Sequence, residues 1–98
     1  MDAVWESIAA RIAQATGECV GELRVRSVGG GCINDSRIAT AESGREFFVK
    51  LNTAAGLDMF EAECAALAGI AESGTIRVPR PVVAGVEGAT AFLVCQCL

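Results

Sequence analysis

Histidine is missing from this 98-residue chain, lysine occurs once, at Lys50, and aromatic residues make up only 5% of it. Each shortage excludes something. Without histidine, zinc would have to be held by cysteines. Cys95 and Cys97 supply one close pair, but there is no second pair and no Cys-x-x-Cys spacing, so no metal site is expected. Few aromatics imply a mainly aliphatic core. Positive charge is also short: eight Lys and Arg against twelve Asp and Glu give a net charge of −4, and no face reads as basic. Binding to nucleic acid through phosphate neutralisation is therefore not expected. No apolar run approaches the roughly 20 residues that a membrane span needs. The N-terminus, MDAVWESIAARIAQATG, is acidic where a secretion signal would be basic. These absences predict a cytoplasmic protein with no membrane partner. The five cysteines, Cys19, Cys32, Cys64, Cys95 and Cys97, then read as free thiols.

What is present is apolar. Hydrophobic residues make up 52% of the chain and the mean hydropathy is +0.43, high for a lone soluble domain. Residues 1–98 have the length of one small domain. The high hydropathy suggests apolar surface that something outside the chain covers. The chain also stops inside the run AFLVCQCL with nothing polar to end it, so a longer parent protein is expected.

Periodicity orders the elements. Val4, Ile8, Ile12 and Ala15 recur at helical spacing beside Trp5, predicting a helix over 3–16 that Gly17 ends. Alternation of Leu23 and Val25 with Arg24 and Arg26 predicts a strand over 22–28. Further strands are expected over 36–41 and 45–52, with a turn at Glu42-Ser43-Gly44 between them. A second helix follows over 57–71. The prolines in Val78-Pro79-Arg80-Pro81 force an extended segment. Short strands over 82–85 and 89–98, joined by a turn at Glu87-Gly88, complete an α+β order: helix, three strands, helix, two strands.

The glycine run in Val28-Gly29-Gly30-Gly31-Cys32-Ile33-Asn34 joins two of these strands. Backbone free of Cβ atoms can bring its N–H groups close to phosphate oxygens. In EFFVKLN, alternation puts Phe47, Val49 and Leu51 on one face and Phe48, Lys50 and Asn52 on the other. A lysine in such a strand needs an anionic partner, or a buried stem with its head in water. On the second helix Phe60, Cys64, Leu67 and Ala71 form the inward stripe. Glu63 falls about 60° to one side of that stripe, and Glu61 about 100° to the other, toward water. Glu63 can therefore reach toward Lys50, although both glutamates also fit a solvated surface. A hairpin loop, a lysine in the third strand and a glutamate in the next helix form the protein-kinase arrangement. The loop departs from G-x-G-x-x-G, because Asn34 stands where the last glycine would be. Asparagine tolerates left-handed backbone best among the other residues.

The runs VGGGCINDSRIA, FFVKLN, MFEAECAALAGI, TIRVPRPVVAG and AFLVCQCL, in that order, resemble the N-terminal lobe of the fructosamine kinase (ketosamine-3-kinase) family. That family has the protein-kinase-like fold, beside the aminoglycoside and choline kinases. The resemblance covers nearly the whole chain. It implies an N-terminal lobe with a five-stranded antiparallel sheet, one packed helix and an extra N-terminal helix. It implies ATP as cosubstrate, with Gly30, Gly31, Cys32, Ile33 and Asn34 lining the nucleotide loop, Lys50 on the phosphates and Glu63 as its ion-pair partner. Residues around Gln96 and Leu98 would form the hinge, holding adenine through backbone groups. The family often has an acidic residue where this chain has Gln96, but backbone contacts do not need that side chain.

The implied reaction transfers the ATP γ-phosphoryl to a sugar hydroxyl of a ketosamine, free or on a glycated protein, which destabilises the adduct. The catalytic Asp, the Mg2+ ligands and most substrate contacts would belong to a second lobe outside these residues. This chain is thus expected to hold no catalytic residue and to be inactive alone. Its hinge strand and sheet underside are expected to be bare and apolar, favouring self-association through an edge strand near the C-terminus. Cys32, among phosphate-directed N–H groups and near Lys50, is expected to be reactive and suggests a redox switch, unless it is only a small loop residue. Two alternatives stay open: another small-molecule kinase of the same fold, for an aminoglycoside, choline or sugar, and a non-catalytic α+β interaction domain.

Overall fold

Short apolar alternations separated by glycine turns build a five-stranded sheet, and two apolar helical stripes cover it. The computed structural model describes residues 3–28, 35–74 and 80–96, with Ala71 described for its backbone only. The elements run α1 (Ala3–Thr16), β1 (Arg24–Ser27), β2 (Asp35–Thr40), β3 (Glu46–Thr53), α2 (Leu57–Ser73), β4 (Pro81–Glu87) and β5 (Thr90–Gln96), with a single 3-10 turn over Ala54–Gly56. The predicted order therefore holds, with shifted ends: β4 is longer at both ends than residues 82–85, and α2 runs two residues past 71. Residues 97 and 98 of the predicted last strand lie outside the described residues, as do Val78 and Pro79.

Helix α1 is closed at its C-terminus by local bonds. The Thr16 hydroxyl donates back to the Ile12 carbonyl at 2.8 Å, and the Gly17 N–H to that of Ala13 at 2.8 Å. Helix α2 carries Asp58 in its first turn, where the dipole favours an anion, and ends at Gly74.

All strand pairs are antiparallel, in the order β1-β2-β3-β5-β4. The strand nearest the C-terminus, β5, is therefore interior rather than an edge. The described edges are β1 and β4.

The sheet is buried on both faces where β5 crosses it. Trp5, Ile8, Ala9 and Ile12 of α1 pack against Phe47, Val49, Phe92 and Val94 on one face. Phe60 of α2 packs against Ala91, Leu93 and Cys95 on the other. Five consecutive β5 residues, Ala91 to Cys95, are buried, as in strands covered on both sides. Two expectations are corrected. The sheet face opposite α2 is not bare, because α1 covers it and leaves Phe47, Val49, Phe92 and Val94 at 0% exposure. Ala15 is exposed: the inward stripe of α1 turns through Trp5 and Ala9. The core is mainly aliphatic, as expected, although Phe47, Phe60 and Phe92 are its largest fully buried side chains.

Among the described residues, no helix is long and apolar enough to cross a membrane.

Because Ile8 of α1 is fully buried in the core cluster on this face, Ile8→Ala is expected to cost about 2–5 kcal/mol. That is a large share of the roughly 5–15 kcal/mol that keeps a domain folded. Urea unfolding followed by circular dichroism measures it. A loss under about 1 kcal/mol would show that α1 is not part of the cooperative core.

Candidate functional site

Strand β3 has two unlike faces because its side chains alternate. Phe47 and Val49 point to the α1 side, while Phe48 and Lys50 share the α2 side. Helix α2 rests mainly over β4 and β5, reaching β3 at Phe48, which packs beside the Phe60 cluster, and at Lys50, so the β1–β2 side of this face is the more open one among the described residues. Ser36, Ile38, Phe48 and Lys50 line that side and its border with α2: Ser36 pairs with Lys50, and Ile38 with Phe48. The wall of this tray is the α2 flank that carries Glu63.

Lys50 and Glu63 meet across the tray. The Lys50 Nζ donates to Glu63 Oε2 at 2.6 Å. The pair is half-sheltered, with side-chain exposures of 27% and 34%. Coulombic attraction there is screened less than on an open surface, and the penalty of full burial is avoided. An ammonium has three N–H donors. One is committed to Glu63, so two can meet an anion above the tray. Phe60, fully buried on the neighbouring turn of α2, fixes the helix rotation that sends Glu63 to this side. Glu61, the alternative carboxylate, is exposed, as its helical angle predicts.

The glycine run enters this geometry through its ends. The Val28 N–H donates to the Ser36 carbonyl at 3.1 Å, so β1 and β2 are clasped as a hairpin directly beside the Ser36–Lys50 pair. Gly30, Gly31, Cys32, Ile33 and Asn34 lie outside the described residues, as does Leu98. The Cys32 hypothesis therefore has no described geometry. Gln96 is described and stands apart from Lys50. It pairs with Phe47, on the opposite face by alternation, and its N–H is engaged by the Arg80 carbonyl at 2.8 Å. That donor is already used within the sheet, so it is not open to a ligand at a hinge.

Sequence reasoning missed three features. Ser36 and the apolar row Ile38–Phe48 carry no motif, and only register places them beside Lys50. Asp35 and Arg37 form a two-pronged pair, Arg37 Nε and Nη2 donating to Asp35 Oδ1 and Oδ2 at 3.0 and 2.8 Å. Opposite charges two apart on a strand share a face, and that spacing was the available signal. The pair pins the first residue of β2, immediately after the glycine run. The Arg37 hydrogen bonds hold the Asp35 carboxyl below the usual carboxylate range. The third feature is Cys64, beside Glu63 on α2, whose thiol is pushed up chiefly by burial and then by the Glu61 charge. It is therefore kept in the less reactive thiol form. Among the described residues, no group of three His, Cys, Asp or Glu side chains could hold a metal ion.

Comparison with known proteins bears on this geometry. The sequence profile described as fructosamine kinase matches residues 4–98. The "probable ketoamine kinase" of Synechocystis is 41% identical over 96 residues, covering 98% of this chain and 32% of the relative. Mouse ketosamine-3-kinase is 40% identical over 72 residues, covering 71% of this chain and 23% of the relative. Among solved structures, a candidate fructosamine-3-kinase from Haemophilus somnus superposes with a TM-score of 0.87 at 26% identity, covering 96% of this chain and 32% of that one. The chain thus spans about a third of the length of the relatives it matches first.

The Asp35–Arg37 pair yields a pH test. A carboxyl whose folded pKa is lowered stabilises the fold above its unfolded pKa and loses that contribution as pH falls through the folded value. Asp35 is half exposed, so the effect on stability is small. An NMR titration of its side-chain carboxyl is expected to show a midpoint below the usual range, moved back up by Arg37→Gln. An unchanged midpoint in that variant would mean that the two prongs are not formed in solution.

Proposed function

Since the chain belongs to the fructosamine kinase family, we propose that it is the nucleotide-binding lobe of a kinase that phosphorylates ketosamines on a sugar hydroxyl. The observation that supports this best is the 2.6 Å Lys50–Glu63 pair, set at the border of the open side of the sheet beside the hairpin that the glycine run closes. A kinase lobe has one principal task, to hold triphosphate in a fixed pose, because phosphoryl transfer is governed by positioning and electrostatics. In this reading the backbone of Gly30, Gly31, Cys32, Ile33 and Asn34 cradles the phosphates, and the Lys50 ammonium neutralises them as a point charge. Glu63 keeps that ammonium aimed, leaving two of its donors for phosphate oxygens.

The acceptor class comes from the relatives, which are named as ketosamine, ketoamine and ribulosamine kinases. We assign the base that activates the sugar hydroxyl, and the carboxylates that hold Mg2+, to the part of those longer proteins that this chain does not span. Mg2+ bound to ATP would offset charge on the β- and γ-phosphates. In this division of labour the part of the present chain is to bind and orient the nucleotide. Residues around Gln96 and Leu98 would meet the adenine through backbone groups other than the Gln96 N–H.

Titration with a fluorescent ATP analogue tests this reading. Lys50→Met is expected to weaken binding about ten- to a hundredfold, the worth of one or two charge-assisted hydrogen bonds. Glu63→Gln, which keeps the shape and loses the charge, is expected to fall between that variant and the unsubstituted chain. Equal affinity in all three, with melts showing that all are folded, would sink the nucleotide reading. A second expectation is that residues 1–98 alone transfer no phosphoryl group to a ketosamine. Product detected by mass spectrometry would overturn the division of labour proposed here.

A further inference from the structure

The second edge of the sheet has a feature that nucleotide binding does not use. Glu87 and Thr90 pair across a two-residue turn, Gly88-Ala89. Gly88 has φ +60°, as the first turn position of a type II′ hairpin requires. The closing pair of such a hairpin is hydrogen-bonded, and bonded and non-bonded pairs then alternate. Glu87–Thr90 and Gly85–Phe92 are therefore bonded pairs, whereas Val86–Ala91 and Ala84–Leu93 are not. Ala84 consequently turns its N–H and C=O away from β5, toward the open edge of β4.

That outward carbonyl is engaged by a side chain from another element. Arg11 of α1 donates from Nη2 to the Ala84 oxygen at 3.3 Å. Its guanidinium carbon lies 6.0 Å from the centre of the Phe92 ring. Among the described residues Arg11 makes no ion pair. Gly85 gives it passage: a Cβ there would stand 2.7 Å from Arg11 Nη1. Arginine and glycine, 74 positions apart in the chain, together let a cation cross the strand to its edge.

We propose that the β4 edge is a pairing surface for β4 of a second copy of this chain, held closed by Arg11. Charged groups on an edge strand oppose the addition of further strands. The opposite edge is blunt by other means, since β1 is four residues long and carries Arg24 and Arg26. Strand β4 has seven residues and no charge before Glu87. It lies between α1 and α2, so a strand added beside it must be apolar on both faces. β4 itself meets that condition: Val82, Val83, Ala84 and Val86 are all partly exposed. Antiparallel pairing of two β4 strands about Ala84 sets the same groups opposite one another, as a two-fold interface requires. Pro81 has no N–H and ends the ladder.

Sedimentation equilibrium of residues 1–98 over a concentration series tests this. Arg11→Met keeps the stem on Phe92 and removes the donors. It is expected to tighten dimerisation about tenfold or more relative to the unsubstituted chain, as one or two freed backbone groups find partners. Gly85→Ala, which displaces the guanidinium while retaining it and also crowds the Phe92 ring at 3.0 Å, is expected to shift association the same way once circular dichroism shows it folded. Adding Ala84→Pro to Arg11→Met removes the outward N–H and is expected to restore the weaker association. In the Arg11→Met dimer, hydrogen exchange at the Ala84 and Val86 amides is expected to slow. Unchanged association in both single variants, or a dimer that survives Ala84→Pro, would overturn the proposal. So would a mixed assembly with no protection at those amides. Should Arg11→Met fail to fold by circular dichroism, Gly85→Ala with and without Ala84→Pro decides the matter alone.

Discussion

A single ammonium, Lys50, stands at the flank of α2, where the covered part of the sheet gives way to its open β1–β2 side. On the opposite face of the strand that carries it, Phe47 and Val49 reach 0% exposure in the core that α1 covers, with Leu51 partly buried beside them. The strand therefore cannot slip by one residue without driving Lys50 into the core and these apolar side chains into water. Burial on one side thus fixes what the other side presents. The position of the charge follows from the hydrophobic effect, and Glu63 adds only the final aim. The design is economical: the same alternation that builds the core also sets the ammonium beside the hairpin.

Covering the two faces of the sheet to different extents reconciles stability with access. Both helices lie mainly over β4 and β5, but on the α1 side the core continues through Val20, Leu23, Ala39, Phe47 and Val49, whereas on the α2 side it reaches β3 only at Phe48 among the described residues. Strand β5, apolar on both sides, serves both helices. The large apolar side chains exposed among the described residues are only Met59 and Ile70, both on α2. The high mean hydropathy is thus mostly absorbed inside the domain.

How much was legible in the sequence follows from the range of each interaction. The two faces of β3 are written in alternation over six residues, and the Glu63 angle in helical spacing from Phe60. Both readings depend on near neighbours, and both hold. The coverage of the underside by α1 depends on contacts from Trp5 to Phe92, and nothing local in MDAVWESIAARIAQATG indicates which face it meets. That β5 is inserted between β3 and β4 is likewise a matter of topology, and chain order alone does not show that β4 and not the last strand is the edge near the C-terminus. Arg11 and Gly85 are illegible singly, because their meaning lies in one close approach across the sheet. The glycine run was the most conspicuous local signal, yet its residues lie outside those described, and its place in the site is drawn from the strands that flank it and from resemblance.

The Lys50–Glu63 contact also reports how α2 is seated. Glu63 lies three residues after Phe60, and the Phe60 ring is locked among Ala91, Leu93 and Cys95. Sliding α2 along its axis by one residue moves Glu63 by about 1.5 Å and turns it by about 100°. Either change alone takes the carboxylate out of hydrogen-bond range of an ammonium anchored in the sheet. The ion pair is therefore conditional on packing beneath the helix, several ångströms from any ligand. A modest loss in that second core cluster, too small to unfold the domain, would first appear as a loosened Lys50. In a lobe whose proposed work is to aim one charge, the fit of Phe60 belongs to the binding apparatus as much as Glu63 does.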